Sequence, residues 1–353
     1  MKKQITVLTL CAMLFARCAL AEAQRLVLGV GVGVLLFSVL FSSSLVDAAS
    51  APRRIVIVFA GFDERTGVLF VAKDHRLFEE EGLEADIVQA RSGPIAVSAL
   101  ATGDAKFYVS GLTGAILGAM AGGLDVVFIA GFINKLDGYV VVSPNIQRPV
   151  DLKGKILGVQ SIGGGLWMRT MMTLDYWGLN PEQDKIQFRI LGDQSVVAQS
   201  ILKGIIDGAF LDHIHSKMLE RQGYRILANI TEVGVPHQGT AVLARRSFVD
   251  QSPEIAEKSL RVFSKAVAFF HEPANKQAVM KSLAKWLRLP RVEDAEAGYE
   301  TMRALYSRRL FPTVAGLRNG LRVLSKVNPK LLGLKPEDLM EDRLLKKLEQ
   351  EGR

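Results

Sequence analysis

Ser161, Gly163, Gly164 and Gly165 follow the short apolar run Ile156 to Val159 and precede helical spacing from Leu166 to Trp177. This is the pattern of a strand, a glycine-rich turn and a helix start. The first N–H groups of a helix have no internal partners, and the helix dipole favours negative charge beside them. The turn is therefore a candidate cradle for an anion or carboxylate. A plain βα turn whose glycines serve local geometry gives the same pattern, but this chain offers several such turns.

Two other constellations invite chemistry. Asp212, His213 and His215, with His237 further on, suggest a metal. Residues two apart, however, point to different sides of a helix and converge only in an extended segment. The competing reading makes Asp212 the cap of the following helix, with one histidine facing a cleft. Asp63, Glu64 and Arg65 follow the first strand and could supply acid or base. Charged residues at such junctions are commonly caps and solvated turn residues, and with no partner nucleophile they are assigned no catalytic role. No Gly-x-x-x-x-Gly-Lys-Ser/Thr or Gly-x-Ser-x-Gly pattern occurs, which removes P-loop and nucleophile-elbow chemistry. Gly29, Gly31 and Gly33 belong to a hydrophobic segment and form no dinucleotide site.

The elements that would position these residues alternate. Strands are expected at Ile55–Ala60, Leu83–Gln89, Phe107–Val109 and Val126–Ala130, with helices at about Gly67–Glu81, Ser92–Ala101 and Gly114–Ala121. This βαβα pattern with short loops predicts a parallel, doubly wound sheet. A second unit carries strands at Tyr139–Val142, Ile156–Val159, Ile186–Ile190 and Gly208–Leu211, with helices at Leu166–Trp177, Ser195–Lys203 and His213–Gln222. Tyr224–Ala228 and Thr240–Ala244 are expected to close it. From Pro253 the pattern is helical: Pro253–Phe270, Ala274–Leu287, Val292–Leu310, Val314–Val327 and Asp342–Glu349. A cleft between two α/β units is the default ligand site.

With 353 residues, 49% apolar and 23% charged, the chain can bury a large core and divide into two parts. Residues 1–51 read as an export leader. Arg25 closes a basic region, Leu26–Phe41 is the apolar stretch, and small-residue cleavage sites lie near Val46-Asp-Ala48 and Ala49-Ser-Ala51. An uncleaved membrane anchor is the rival, since the 21 residues from Leu26 to Val46 could cross a bilayer. The earlier apolar stretch from Gln4 to Leu20 is more than one signal needs, which makes Met13 an alternative initiator. Both cysteines, Cys11 and Cys18, lie in this leader without the small preceding residue that lipidation requires, so disulfides and thiolate chemistry are excluded for a mature chain.

The leader's Lys2, Lys3, Arg17 and Arg25 against Glu22 and Asp47 remove +2 from a net charge of +8, leaving +6. Such a balance suits an anionic small ligand. The basic residues are scattered, and Arg303, Arg308 and Arg309 read as a solvated helix face, so no nucleic-acid partner is expected.

Several segments together carry a family resemblance: Ala72-Lys-Asp-His-Arg-Leu-Phe-Glu-Glu-Glu-Gly-Leu83, Asp151-Leu-Lys-Gly-Lys155, Leu174-Asp-Tyr-Trp-Gly-Leu-Asn-Pro181, Leu202-Lys-Gly-Ile-Ile-Asp-Gly-Ala209 and Asn328-Pro-Lys330. In order and spacing the chain resembles the substrate-binding proteins of nitrate/sulfonate/taurine-type ABC importers, a group that includes binders of thiamine-pyrimidine precursors. The resemblance runs from about Arg53 to Leu348. It implies a two-lobed, type II periplasmic-binding-protein fold of α/β class with a helical C-terminal extension, closing on one small molecule. One lobe would comprise 52–132 plus 238–353 and the other 133–237. The resemblance places ligand contacts on the turns after strands: Gly61, Phe62, Ser92, Gly93, Ser110, Gly111, Thr113, Ser161, Gly163, Gly164, Asp212 and His213, with Trp167 packing on an apolar ligand part or in the core.

It further implies a monomer in the periplasm or an equivalent extracytoplasmic space. There it would deliver a small anionic or heteroaromatic molecule to an ABC permease of the inner membrane, without cofactor, metal or catalysis. Asp212-His213-Ile214-His215 departs from the proline or small residue common at that place, which bears on ligand identity. A related enzymatic branch uses a self-sacrificed histidine, pyridoxal phosphate and iron beside a cysteine-rich motif, which the cysteine-free mature chain lacks. A metal-dependent enzyme and a ligand sensor on the same fold remain the alternative readings.

Overall fold

The computed structural model describes residues 52–352. The expected leader and its possible anchor lie outside the described residues. In chain order the first elements are β1 (Arg53–Phe59), α1 (Gly67–Asp74), α2 (Leu77–Glu80), β2 (Leu83–Gln89), α3 (Gly93–Thr102), β3 (Phe107–Ser110), α4 (Gly114–Ala121) and β4 (Val126–Gly131). There follow β5 (Tyr139–Val142), β6 (Ile156–Val159), α5 (Gly165–Tyr176), β7 (Gln187–Ile190), α6 (Gln194–Leu202), β8 (Gly208–Leu211), α7 (His213–Arg221), β9 (Arg225–Asn229) and β10 (Ala241–Arg245). The helices α8 (Arg246–Gln251), α9 (Pro253–His271), α10 (Lys276–Leu287), α11 (Glu296–Leu305), α12 (Val314–Leu324) and α13 (Arg343–Gln350) complete the chain. Among the described residues no helix is long and apolar enough to cross a membrane.

The strands form two sheets of five, ordered β2-β1-β3-β10-β4 and β7-β6-β8-β5-β9. The two orders are the same topology repeated: β6 stands where β1 does, β7 where β2 does, β8 where β3 does. In each, the three sequential strands are parallel and the fourth position is an antiparallel strand, β10 in the first and β5 in the second. This corrects two expectations. Thr240–Ala244 does not close the second unit but supplies β10 to the first sheet, and that sheet is mixed rather than parallel. The alternating pattern of β1 to β4 carries no sign of a strand returning more than a hundred residues later.

The chain crosses between sheets twice, and the two crossings pair with each other. Phe132 N donates to Thr240 O at 2.7 Å, Gly239 N to Ile133 O at 2.7 Å and Leu136 N to Val235 O at 2.8 Å. Gly138 ends the first crossing with φ +129°, where a Cβ would stand 2.5 Å from Phe210 and 2.9 Å from the Arg65 guanidinium. Only glycine fits there.

The C-terminal helices do not trail away. α9 and α10 cover the first sheet, where Phe59, Phe70, Phe78, Phe263, Phe270, Tyr299 and Tyr306 are buried together, with Phe70 stacked on Trp286 at 4.9 Å. Each such ring contributes roughly 1.5–3 kcal/mol by leaving water. The second sheet is packed by Met168, Met171 and Met172 of α5, Val197 and Ile201 of α6 and Leu219 of α7. The expected helix over Gly67–Glu81 is broken, because Arg76 adopts φ +57° and starts α2 afresh. The expected helix over Val292–Leu310 ends at Leu305, so Arg308 and Arg309 lie beyond it, and Arg309 pairs with Glu349 at 2.6 Å rather than sharing a solvated face with Arg303.

Candidate functional site

Strands of one hand and one topology end on one side of each sheet, so the turns after β1, β2 and β3 face those after β6, β7 and β8. A cavity of ≈ 50 Å³ lies there, bounded by Gly61, Phe62, Gly93, Ser110 and Gly111 from one side and by Gln160, Gly165, Arg169 and Asp193 from the other. At about 10–15 Å³ for each water, it holds a molecule of a few heavy atoms.

Of the residues expected to touch ligand, Gly61, Phe62, Gly93, Ser110 and Gly111 line this cavity. Ser92 stands at the start of α3 and its side chain makes no cap. Thr113 is buried and its Oγ1 accepts from Ile116 N at 3.1 Å, satisfying α4 itself. Gly163, at φ +76°, brings its carbonyl to Ala115 N at 2.9 Å and so ties the α5 turn to α4. Gly164 packs against Ser161, whose Oγ is buried without a partner. Trp167 is half-buried against Gly114, across from the cavity rather than in its wall. Asp212 is fully buried and caps α7, accepting from His215 N at 2.7 Å and meeting His215 Nδ1 at 2.7 Å, as the capping reading expected. His213 sets its ring edge-on to Tyr139, and its backbone N–H donates to Glu64 Oε1 at 2.8 Å. His213, His215 and His237 do not converge, and among the described residues no three His, Cys, Asp or Glu side chains are placed to hold a metal.

The charges at the site are a different set. Asp63, Glu64 and Arg65 are buried, not solvated as the sequence suggested, although Asp63 does cap its own turn by accepting from Arg65 N at 3.0 Å. The turn is pinned from behind by the Tyr306 hydroxyl, which donates to Arg65 O at 3.0 Å. Arg65 binds Asp137 through Nε, donates from Nη2 to the Asp137 carbonyl at 2.9 Å and pairs with Asp63 at 3.1 Å. Asp137 belongs to the first crossing, and its other oxygen faces Arg169 of α5 at 3.7 Å. That distance is too long for a hydrogen bond, so Asp137 Oδ1 and Arg169 Nε are both buried and unpartnered.

Burial opposes the Asp137 charge, but Arg65 and Arg169 outweigh it and hold its carboxyl below the usual range. Burial, with Arg65 nearby, makes Arg169 easier to deprotonate than a free arginine. His237 lies beside this cluster, and burial followed by the Arg169 charge drives it down to about 3, so it is neutral. Tyr108 is pushed up to about 12 by burial.

Polar links join the two sides beside the cavity. Gln160 Nε2 donates to Ala60 O at 3.0 Å, Gln194 Nε2 to Asp63 Oδ2 at 2.7 Å, His213 N to Glu64 Oε1 at 2.8 Å and Ala115 N to Gly163 O at 2.9 Å. The side chains missed in the sequence are thus Arg65, Asp137, Arg169, Gln160 and Gln194. Arg169 had a signal, a lone charge inside the otherwise apolar helix face Leu166–Met172. Asp137 had none, because its partner is 72 residues away.

What the arrangement offers chemically is an anion site. The starts of α3 and α5 carry no side-chain cap, so their first N–H groups are open to a ligand, whereas α4 and α7 cap themselves. Arg169 adds a cation whose hydrogen bonds are incomplete.

Comparison with known proteins agrees with this frame. A family model described as NMT1/THI5 like matches residues 64–276. The taurine-binding periplasmic protein of Escherichia coli is 25% identical over 232 residues, 64% of this chain and 69% of that protein. The periplasmic aliphatic sulphonate-binding protein SsuA of Escherichia coli superposes with a TM-score of 0.66 at 21% identity, covering 83% of this chain and 99% of that one. The periplasmic nitrate-binding protein NrtA of Synechocystis PCC 6803 superposes with a TM-score of 0.67 at 13% identity, covering 84% and 88%. The fold is that of the periplasmic binding proteins.

Proposed function

The chain belongs to the NMT1/THI5-like family, and from that premise we propose that it is an exported solute receptor that hands a small organic anion to an ABC permease. The observation that carries this reading is the Arg169 guanidinium, buried with an unpartnered Nε at a cavity where two uncapped helix starts meet. A buried charge with incomplete hydrogen bonds is costly, and an anion bound there removes the cost. That relatives bind taurine, aliphatic sulphonates and nitrate supports an anionic head.

The lobes are taken as 52–132 plus 238–353 and 133–237, hinged at the paired crossings. A ligand held by Arg169 on one side and by the Gly61-Phe62 and Gly93 turns on the other shifts the open–closed equilibrium by its differential affinity for the closed form. The polar links beside the cavity are among the bonds that opening would exchange for water. That the relatives are binding proteins supports binding over catalysis.

The test is thermal stability of the purified protein against nitrate, short alkanesulfonates, carboxylates and pyrimidines. A ligand at a hundred times its Kd adds about 2.7 kcal/mol to the folded state. A rise in Tm with sulfonates or carboxylates is expected. No gain with any of them overturns the reading.

A further inference from the structure

On α9, Leu260, Arg261, Ser264 and Lys265 share one helical stripe. With Leu310 and Phe311 of the segment after α11, and Leu345 and Leu348 of α13, they enclose a recess of ≈ 620 Å³ that shares no lining residue with the cavity between the sheets. Its size is that of a small-molecule pocket, about 300–1,000 Å³. The wall after α11 is fixed from behind, because Gly131 N donates to Leu310 O at 2.7 Å and Asn134 Nδ2 to Phe311 O at 3.3 Å. The recess is therefore preformed, with an aliphatic floor and a charged rim. Both rim carboxylates are committed: Glu81 to Arg261 at 3.0 Å and Lys265 at 2.8 Å, and Glu349 to Arg309 at 2.6 Å. Arg308 stands at the same rim, exposed, and among the described residues no carboxylate lies within ion-pair distance of it.

We propose that this recess is a second ligand site, for a free single-chain amphiphile with an acidic head: the chain lies on Leu260, Leu345 and Leu348, and the head pairs with Arg308. An alkyl chain laid on that floor leaves water, which drives the contact without direction, and the head sets the orientation. A cationic head finds no carboxylate left at the rim and meets Arg308 instead. An uncharged head leaves Arg308 to solvent and forgoes the ion pair. Because the wall is already in place, the ligand does not have to order it. The inference is independent of the anion-receptor reading, since Arg169 and the open helix starts take no part in it.

The test is calorimetry with octanoate, and with octyltrimethylammonium as the same chain under the opposite charge. Octanoate is expected to bind at least tenfold more tightly than the cation. Ser264→Phe, which fills the recess from α9, is expected to weaken octanoate at least tenfold and Arg308→Glu at least fivefold, and Arg308→Glu, a change at an exposed position, carries the test should Ser264→Phe fail to fold. Arg169→Met is expected to leave octanoate affinity within twofold. No octanoate binding, equal affinity for the two chains, or affinity that survives in both recess variants overturns the site. Loss of octanoate binding in Arg169→Met places the chain in the cavity between the sheets and overturns it as well, while leaving the anion receptor standing.

Discussion

The turn after β1 and the turn after β6 occupy the same place in two sheets of one topology, yet they reach the cavity by opposite means. The first is Gly61-Phe62-Asp63-Glu64-Arg65, dense in buried charge that is largely neutralised among its own members and Asp137. The second is Ser161 to Gly165, with no charge at all, and its cation comes one helical turn later as Arg169, incompletely paired. Topology fixes where a turn points, and composition decides whether it braces the hinge or grips a guest.

The sharpest way to break that distinction is to remove each arginine in turn. Arg169→Met is expected to weaken binding of the best ligand at least 100-fold by calorimetry, because the ligand's counter-charge is lost. Arg65→Met is expected instead to cost mainly stability, about 3–5 kcal/mol in a denaturant titration, as it strands Asp63 and Asp137 without their shared partner. If both variants lose affinity and stability in the same proportion, the division of labour between the two turns is wrong.

Titration sharpens the comparison from the side of the charged turn. Glu64 faces Asp63 and Arg65 on its own turn, Asp212 and His215 on α7, Tyr139 on β5 and Tyr306 behind it, and its pKa is raised from 4.5 to about 8 by burial and then by Asp212. Folded Glu64 holds a proton that the unfolded chain has released, so stability falls as pH rises from 4.5 to about 8. His215 is opposed by burial, but Asp212 raises it from 6.5 to about 9. Its stabilisation is full below 6.5 and is lost as pH rises through about 9. His237, held down to about 3, acts in the opposite sense and only below 6.5. Between pH 6.5 and about 8 the first two therefore act together, and from about 8 to about 9 only His215 continues. The unfolding free energy is expected to decline from pH 6.5 to about 9 by up to ~1.4 kcal/mol per group per pH unit, with a matching fall in Tm. Glu64→Gln should flatten the lower part, and a flat wild-type profile would show the cluster to be hydrated instead.

The glycine-rich turn was legible in the sequence because its signal is local: a short apolar run, glycines and helical spacing within about twenty residues. Most of the strands and their helices were legible for the same reason, with β2, β5, β6 and β8 matching to the residue. The charged cluster was not. Asp63, Glu64 and Arg65 look like any polar junction until Asp137 and Gln194 arrive from 72 and 131 residues away, and β10 looks like the next strand in line until it inserts between β3 and β4. Contacts made by chain return leave no periodicity at either end.

The smallest expected effect separates helix starts that serve a ligand from those that serve themselves. Thr113 was expected at the ligand, but its hydroxyl already accepts from Ile116 N, so Thr113→Ala should cost about 1 kcal/mol of stability through the lost cap and change Kd by less than threefold. Ser92 holds the same position on α3, yet its side chain makes no cap, so Ser92→Ala should leave stability within about 0.5 kcal/mol. A denaturant titration and a calorimetric Kd for each variant settle the pair. Should Thr113→Ala lose tenfold in affinity at full stability, α4 joins α3 and α5 at the anion, because a hydroxyl that abandons its own helix to reach a guest would have the guest, not the helix, as its partner.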